Sequence, residues 1–137
     1  MTRIVLAFLA AAVLIGLSAS IAPPASAQQA QQSADVRVTL SNFDFGPALV
    51  RVPVRQRVTL TLVNSSKGGH DFAAGEFFRA ARVDPADAAK IDNGTVEVPG
   101  HGNVTIGLTI DRPGRYKLKC THFLHATFGM KGEIVAE

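Results

Sequence analysis

Cysteine is scarce in this sequence of 137 residues, in which Cys120 is the single example. One cysteine excludes the intrachain disulfide framework that holds many small exported domains together. A lone thiol is also vulnerable to oxidation outside the cytoplasm, so its presence there needs a reason. Cys120 is therefore either a buried packing residue or a metal ligand. The residues that surround it in the sequence distinguish these two interpretations.

Clustered charge and long hydrophobic runs are absent as well. The 14 Lys and Arg residues and the 11 Asp and Glu residues are dispersed along the chain. That pattern argues against nucleic-acid binding and suits a solvated surface that could dock an acidic partner. The longest apolar run, Ile4–Leu17, falls short of the roughly 20 residues that cross a bilayer. We therefore expect no stable membrane anchor.

The N-terminal segment instead has the pattern of a secretory signal peptide. Arg3 precedes the apolar run, and Ala25-Ser26-Ala27 provides a small-x-small cleavage site. The signal peptide would direct the protein to the periplasm and be cleaved after Ala27. The predicted organisation is a signal peptide at 1–27, a flexible lead-in at 28–34 and one domain at 35–137.

The rest of the chain has the period-two alternation of β-strands. Val36, Val38 and Leu40 alternate with polar residues, and Phe43 and Phe45 extend that alternation. Similar runs separated by Gly, Pro and Asn indicate about seven or eight short strands in an all-β antiparallel sandwich or barrel. The only helical signals are a short insertion over 76–82 and an Asp-Pro start at Asp84-Pro85. Predicted strands cover residues 35–45, 48–52, 58–63, 95–98, 104–110, 115–120 and 133–136, with a further strand opening near residue 70.

The most informative segment runs from Tyr116 to Met130. Strand alternation puts Cys120 on the core-facing side at the end of its strand. The following loop carries His122 and His125, and it ends at Met130, the only methionine outside the N-terminal segment. A thiolate, an imidazole and a thioether thus converge, and the soft thioether favours copper over zinc.

A further ligand must come from elsewhere in the chain. His70 follows the Gly-rich loop over 64–69 and is the only histidine before the final third of the sequence. Two His, one Cys and a weakly bound axial Met make the ligand set of electron-transfer copper sites. The remaining histidine, His101, lies in a Pro-Gly-His-Gly turn, where we expect it to be exposed.

The run Cys120-x4-His125-x4-Met130, followed by the strand-like 131–135, resembles that of the cupredoxins, the type 1 blue copper proteins. The resemblance implies a Greek-key β-sandwich holding one copper ion through His70, Cys120, His125 and Met130. It also implies a one-electron carrier that cycles between Cu(I) and Cu(II), with His125 near the surface as the electron port. Candidate residues for an apolar docking rim around that port are Phe123, Leu124 and Phe128.

Two residues depart from the family pattern. His122 could lie behind the ligands, at the surface, or replace His125 as a ligand; family spacing favours His125. Asp71 stands where relatives often carry Asn or a small polar residue. Its carboxylate could stabilise Cu(II), lower the potential or face solvent.

The alternative function is a periplasmic copper chaperone or resistance protein that uses the same ligands. The expected partners are accordingly redox proteins or copper donors and acceptors, and the expected state is a monomer. Catalysis is not expected, because copper enzymes of this superfamily need additional copper centres. Four histidines cannot supply the ligands for those centres.

Overall fold

The computed structural model describes residues 33–137 as ten strands, one α-helix and one 3-10 turn. The predicted signal peptide at 1–27 and most of the lead-in lie outside the described residues. The first strand begins at Ala34, one residue before the predicted domain boundary. The elements are β1 (Ala34–Ser41), β2 (Asp44–Gly46), β3 (Leu49–Val52), β4 (Arg57–Asn64), β5 (His70–Ala73), α1 (Gly75–Ala80), β6 (Ala81–Val83), β7 (Thr95–Val98), β8 (Asn103–Ile110), β9 (Gly114–Lys119) and β10 (Lys131–Ala136), with the 3-10 turn at Ala88–Lys90.

The strands form two five-stranded sheets, which confirms the all-β class and the sandwich. One sheet has the order β2-β1-β4-β8-β6, and the other has β3-β10-β9-β5-β7. Pairing is antiparallel except between β1 and β4 and between β3 and β10. The chain changes sheets between β2 and β3, so β3 lies beside β10, which is distant in sequence.

Two strands, β2 and β6, are not among those expected from the sequence. The prediction that Phe43 continues the first strand is wrong, because Phe43 has a φ of +63° in the turn between β1 and β2. The predicted helix over 76–82 is shorter than expected, since Ala81 already pairs with Ile110 on β8. The Asp84-Pro85 signal leads only to the single 3-10 turn.

The core lies between the two sheets and is closed at one side by α1. Phe72 is fully buried there and makes edge-on contacts to Phe45 and Phe78, at ring-centroid distances of 6.1 Å in each case. Phe77, on the same helix as Phe78, packs edge-on against Tyr116 at 5.6 Å. Edge-to-face aromatic pairs at such distances add to the stabilisation from apolar burial. The helix therefore anchors β5 to β9, the two strands that lead to the predicted ligands.

A buried asparagine fixes the loop that precedes β5. Asn64 donates through Nδ2 to the carbonyls of Gly68 (2.7 Å) and Val98 (3.0 Å), while its Oδ1 accepts from the backbone N–H of Ser66. Gly100 is also required at this end, because a Cβ there would lie 1.9 Å from the carbonyl oxygen of Lys67. The start of β5 is consequently held from both sides.

Candidate metal centre

Cys120 lies directly after β9 and points into the sandwich. Leu118 and Cys120 are buried whereas Lys117 and Lys119 are exposed, as the alternation predicted. The backbone N–H of Cys120 donates to the carbonyl of Met130 at 3.1 Å, which joins the two ends of the loop. The thiol is thereby fixed at the end of β9, beside the residue that precedes β10.

His70 is the first residue of β5 and is 2% exposed. Its Nε2 atom is buried and has no hydrogen-bond partner among the described residues. Its Nδ1 atom, by contrast, faces Nδ1 of His125 at 3.1 Å and Sγ of Cys120 at 3.9 Å. Nδ1 is therefore the nitrogen of His70 that is directed toward other donor atoms.

The loop over 121–129 folds back on itself and brings His125 to the thiol. Its turns are closed by backbone hydrogen bonds from His125 to His122 (3.0 Å) and from Phe128 to Leu124 (2.9 Å). A third bond, from Met130 N–H to the carbonyl of His125, measures 2.9 Å. Met130 is fully buried, whereas His125 is partly exposed.

Three donor atoms consequently converge in one place: Nδ1 of His70, Nδ1 of His125 and Sγ of Cys120. The two nitrogens lie 3.1 Å apart, and the sulfur lies 3.4 Å from His125 and 3.9 Å from His70. With metal–nitrogen bonds of about 2.0 Å and metal–sulfur bonds of about 2.3 Å, a trigonal site requires roughly 3.5 Å between nitrogens and 3.8 Å from nitrogen to sulfur. The observed triangle is within about half an ångström of that geometry, so these residues fit a metal ion.

Burial disfavours charge on these donors while no cation is bound. Desolvation is the main reason that the pKa of His70 is lowered, and the nearby His125 lowers it further. Desolvation likewise raises the pKa of the Cys120 thiol, against the effect of the backbone N–H groups of Asp71 and His122. Lowering the pKa of His70 favours the neutral imidazole that a metal needs, and a bound cation would deprotonate the thiol.

Asp71 is buried and does not face solvent, with an exposed fraction of 3%. Its carboxylate accepts from the backbone N–H of Thr121 at 2.7 Å and from the Thr121 hydroxyl. Its own N–H points to Sγ of Cys120 at 3.5 Å. Asp71 thus connects β5 to the residue that follows the thiol.

His122 is not part of the three-donor cluster. Its Nε2 atom lies 3.0 Å from Oε2 of Glu97, and its ring stacks on that of His125 with centroids 5.5 Å apart. Sequence reasoning missed Glu97, although alternation in β7 places it on the outer face. Its position opposite Asp71 depends on the pairing of β5 with β7, which a single sequence does not reveal.

Large apolar side chains surround His125 at the surface. Phe123 is 86% exposed and Phe128 is 62% exposed, with Leu124 beside them. Phe43, from the turn between β1 and β2, contacts His125 edge-on at 5.2 Å and Phe128 at 5.5 Å. Sequence reasoning missed Phe43 because it assigned this residue to a strand.

The same fold occurs in known proteins. The sequence matches the family described as Cupredoxin-like domain over residues 6–136. No curated protein sequence matches this chain. The structure resembles a dithionite-reduced auracyanin from Roseiflexus castenholzii, with 21% identity, a TM-score of 0.56 and coverage of 77% of this chain and 98% of that one.

A second solved structure is similar: auracyanin A from Chloroflexus aurantiacus, a "blue" copper protein. The identity is 19% and the TM-score is 0.52, with coverage of 76% of this chain and 100% of that one. Identities this low establish a shared fold only.

Proposed function

We propose that this chain, which belongs to the cupredoxin-like domain family, is a one-electron carrier with a single copper ion. The proposed ligands are His70, Cys120, His125 and Met130. The observation that carries the proposal is the triangle of two imidazole nitrogens and one sulfur, with sides of 3.1, 3.4 and 3.9 Å. When bound there, copper would supply a metal that alternates between the Cu(I) and Cu(II) states.

The donor types favour copper over zinc. Thiolate and imidazole bind both metals, but a thioether is a soft ligand that suits copper. Met130 is fully buried, and its backbone is hydrogen-bonded to both Cys120 and His125. Met130 is thus fixed next to two of the other proposed ligands by the main chain itself.

The chain's own contribution is to hold the ligands still and to limit the access of water. Cys120, His70 and Met130 are each at most 2% exposed. Two backbone hydrogen bonds link the loop ligands to one another, and the Asn64 network fixes the entry to β5. Ligands that do not move between two oxidation states keep the reorganisation small, which is what fast electron transfer needs.

His125 is the proposed route for the electron. It is the partly exposed member of the three-donor cluster, and the apolar residues Phe43, Phe123 and Phe128 surround it. A contiguous exposed apolar patch on a small domain commonly marks a docking surface. The proposed partners are redox proteins that cover this rim and bring their own centre close to His125.

The alternative is a copper chaperone or resistance protein with the same ligands, whose partners would be copper donors or acceptors. Transfer of a metal between proteins requires ligands that a partner can reach. The complete burial of Cys120 and Met130 therefore supports the carrier over the chaperone.

The proposed location is the periplasm, and the proposed state is a monomer that is not an enzyme. Export rests on the N-terminal sequence pattern, with cleavage after about Ala27. Within residues 33–137, no helix is long and apolar enough to cross a membrane.

Voltammetry of the copper-loaded protein, paired with a competition assay against a Cu(I) chelator, tests the proposal. A carrier should show reversible one-electron reduction and should retain its copper during repeated cycles. Irreversible reduction, or loss of copper to the chelator within seconds of reduction, would favour the chaperone instead.

A further inference from the structure

A second group of metal-binding side chains lies beside the three-donor cluster and shares no residue with it. Asp71, Glu97 and His122 each place one ligand atom within 4.8 Å of the other two. Asp71 on β5 is paired directly with Glu97 on β7, and His122 reaches Glu97 from the loop after β9. Three separate segments of the chain thus bring two carboxylates and an imidazole together.

The charges in this group are not balanced by the protein. Carboxylates on directly opposed strand positions repel one another. Among residues 33–137, the only ion-pair partner of Glu97 is His122, and Asp71 has no ion pair. Lys119, on β9, lies opposite Ala73 in the sheet and not opposite Asp71. An imidazole carries at most one positive charge, so the group with both carboxylates ionised retains a net negative charge.

Hydrogen bonds from neighbouring residues orient this group. Both oxygens of Asp71 accept hydrogen bonds from Thr121, which is the kind of outer support that ligating carboxylates have in metal sites. The backbone of Gly69 lies close to the group, where a side chain would crowd Glu97 and His122. A Cβ at that position would lie 2.9 Å from Oε1 of Glu97 and 3.3 Å from Cε1 of His122.

We propose that Asp71, Glu97 and His122 form a second metal site, which binds a divalent first-row transition ion such as Zn²⁺. One imidazole and two carboxylates are a known type of protein ligand set for zinc, with a further position left for water. The set contains no sulfur, so it selects divalent ions rather than Cu(I). The site does not depend on the proposed electron-transfer function, because none of its donors belongs to the copper cluster.

The second site adjoins the first through stacked imidazole rings. The ring of His122 lies 5.5 Å from that of His125 and nearly parallel to it, with an interplanar angle of 24°. An ion held by His122 would fix the loop over 121–129 from the outside. Occupation of the outer site therefore stabilises the position of His125 without contacting the inner ligands.

Calorimetric titration with Zn²⁺ alone tests this proposal, because zinc accepts both donor sets. We expect the wild-type chain to bind two zinc ions and the Glu97→Gln variant to lose roughly tenfold or more in affinity at one of them. Cys120→Ser should weaken the inner site and leave the outer one intact. Glu133→Gln is the matched control, since Glu133 is also a strand glutamate in an ion pair, with Arg115.

The proposal is wrong if Glu97→Gln binds zinc as the wild type does, or if Cys120→Ser binds none. His122→Ala provides a second variant and should remove the same zinc ion that Glu97→Gln removes. The visible spectrum of copper-loaded Glu97→Gln separates the two proposals. If Glu97→Gln loses one zinc ion and keeps the wild-type copper spectrum, the effect belongs to the outer site. If the wild-type protein shows no visible copper band but still binds the outer zinc ion, only the proposed electron carrier is refuted.

Discussion

The Sγ atom of Cys120 lies 3.4 Å from Nδ1 of His125, although four residues of a surface loop lie between them in sequence. The loop achieves this approach through its own backbone hydrogen bonds, and Met130 closes it by bonding to both residues. The geometry at the thiol is therefore a property of the loop over 121–129. The central claim follows from it: the fold holds sulfur and imidazole ligands for a metal ion rigidly in place.

Replacement of the two loop histidines should have unequal effects. His125→Ala removes one corner of the donor triangle, so we expect loss of the intense visible copper band. His122→Ala removes a residue outside that triangle, and we expect the band to persist with at most a small shift. Visible absorption and EPR spectra of the two variants, recorded after addition of one equivalent of Cu(II), make the comparison. Persistence of the band in His125→Ala alone would assign the ligand to His122.

Asp71→Asn should raise the reduction potential. Asn keeps an oxygen that can accept from Thr121 but removes a buried negative charge next to Cys120, and that charge favours Cu(II) over Cu(I). Voltammetry of the copper-loaded variant measures the change. Asp71→Ala, which also removes the hydrogen bonds to Thr121, is expected to lower the free energy of unfolding by about 1–3 kcal/mol. A potential that is unchanged or lower in Asp71→Asn would contradict this account.

Asn64→Ala should loosen the entry to β5. The substitution removes the side-chain hydrogen bonds of Asn64 to the Val98 carbonyl and to the Ser66 N–H, and we expect a loss of about 2–3 kcal/mol in the free energy of unfolding. Urea denaturation of the metal-free protein checks the magnitude. Ser65→Ala is the control, because Ser65 is exposed and its hydroxyl makes only one long hydrogen bond of 3.3 Å. Equal stabilities for the two variants would refute the role of Asn64.

Asp87→Asn should reduce stability in a pH-dependent way. Hydrogen bonds from Lys90 and from the backbone N–H of Gly107 lower the pKa of Asp87 below its ordinary value of 3.8. The ionised carboxylate thus stabilises the fold above about pH 3.8, and this contribution is lost as the pH falls through the lowered pKa. We expect the variant to be about 1 kcal/mol less stable at pH 7. Denaturation curves at a series of pH values should show the difference shrinking below pH 3.8, and a difference that grows there would be inconsistent with it.

Local patterns predicted much of the site. Alternation over Tyr116–Cys120 gave the inward direction of the thiol, and the Gly-rich loop marked the start of β5 at His70. Both rest on residues that are adjacent in sequence. The exposed position of His101 followed in the same way from its turn.

The remainder depends on contacts between distant segments. Glu97 comes opposite Asp71 only through the pairing of β7 with β5, and Phe43 reaches His125 only because a left-handed turn ends β1 early. Alternation favoured a strand at Phe43, but the tight hairpin with β2 buries Phe45 and leaves Phe43 exposed. Tertiary pairing therefore overrode the local signal at these positions.

The most direct test of the central claim is the visible spectrum of the protein with one equivalent of Cu(II), compared with that of Cys120→Ser. The account predicts an intense visible absorption band in the wild type, because the thiolate would be a ligand, and its complete loss in the variant. Ser65→Ala, a serine–alanine change outside the cluster, should leave the band unaltered. A band that survives in Cys120→Ser would show that the thiol is not a copper ligand.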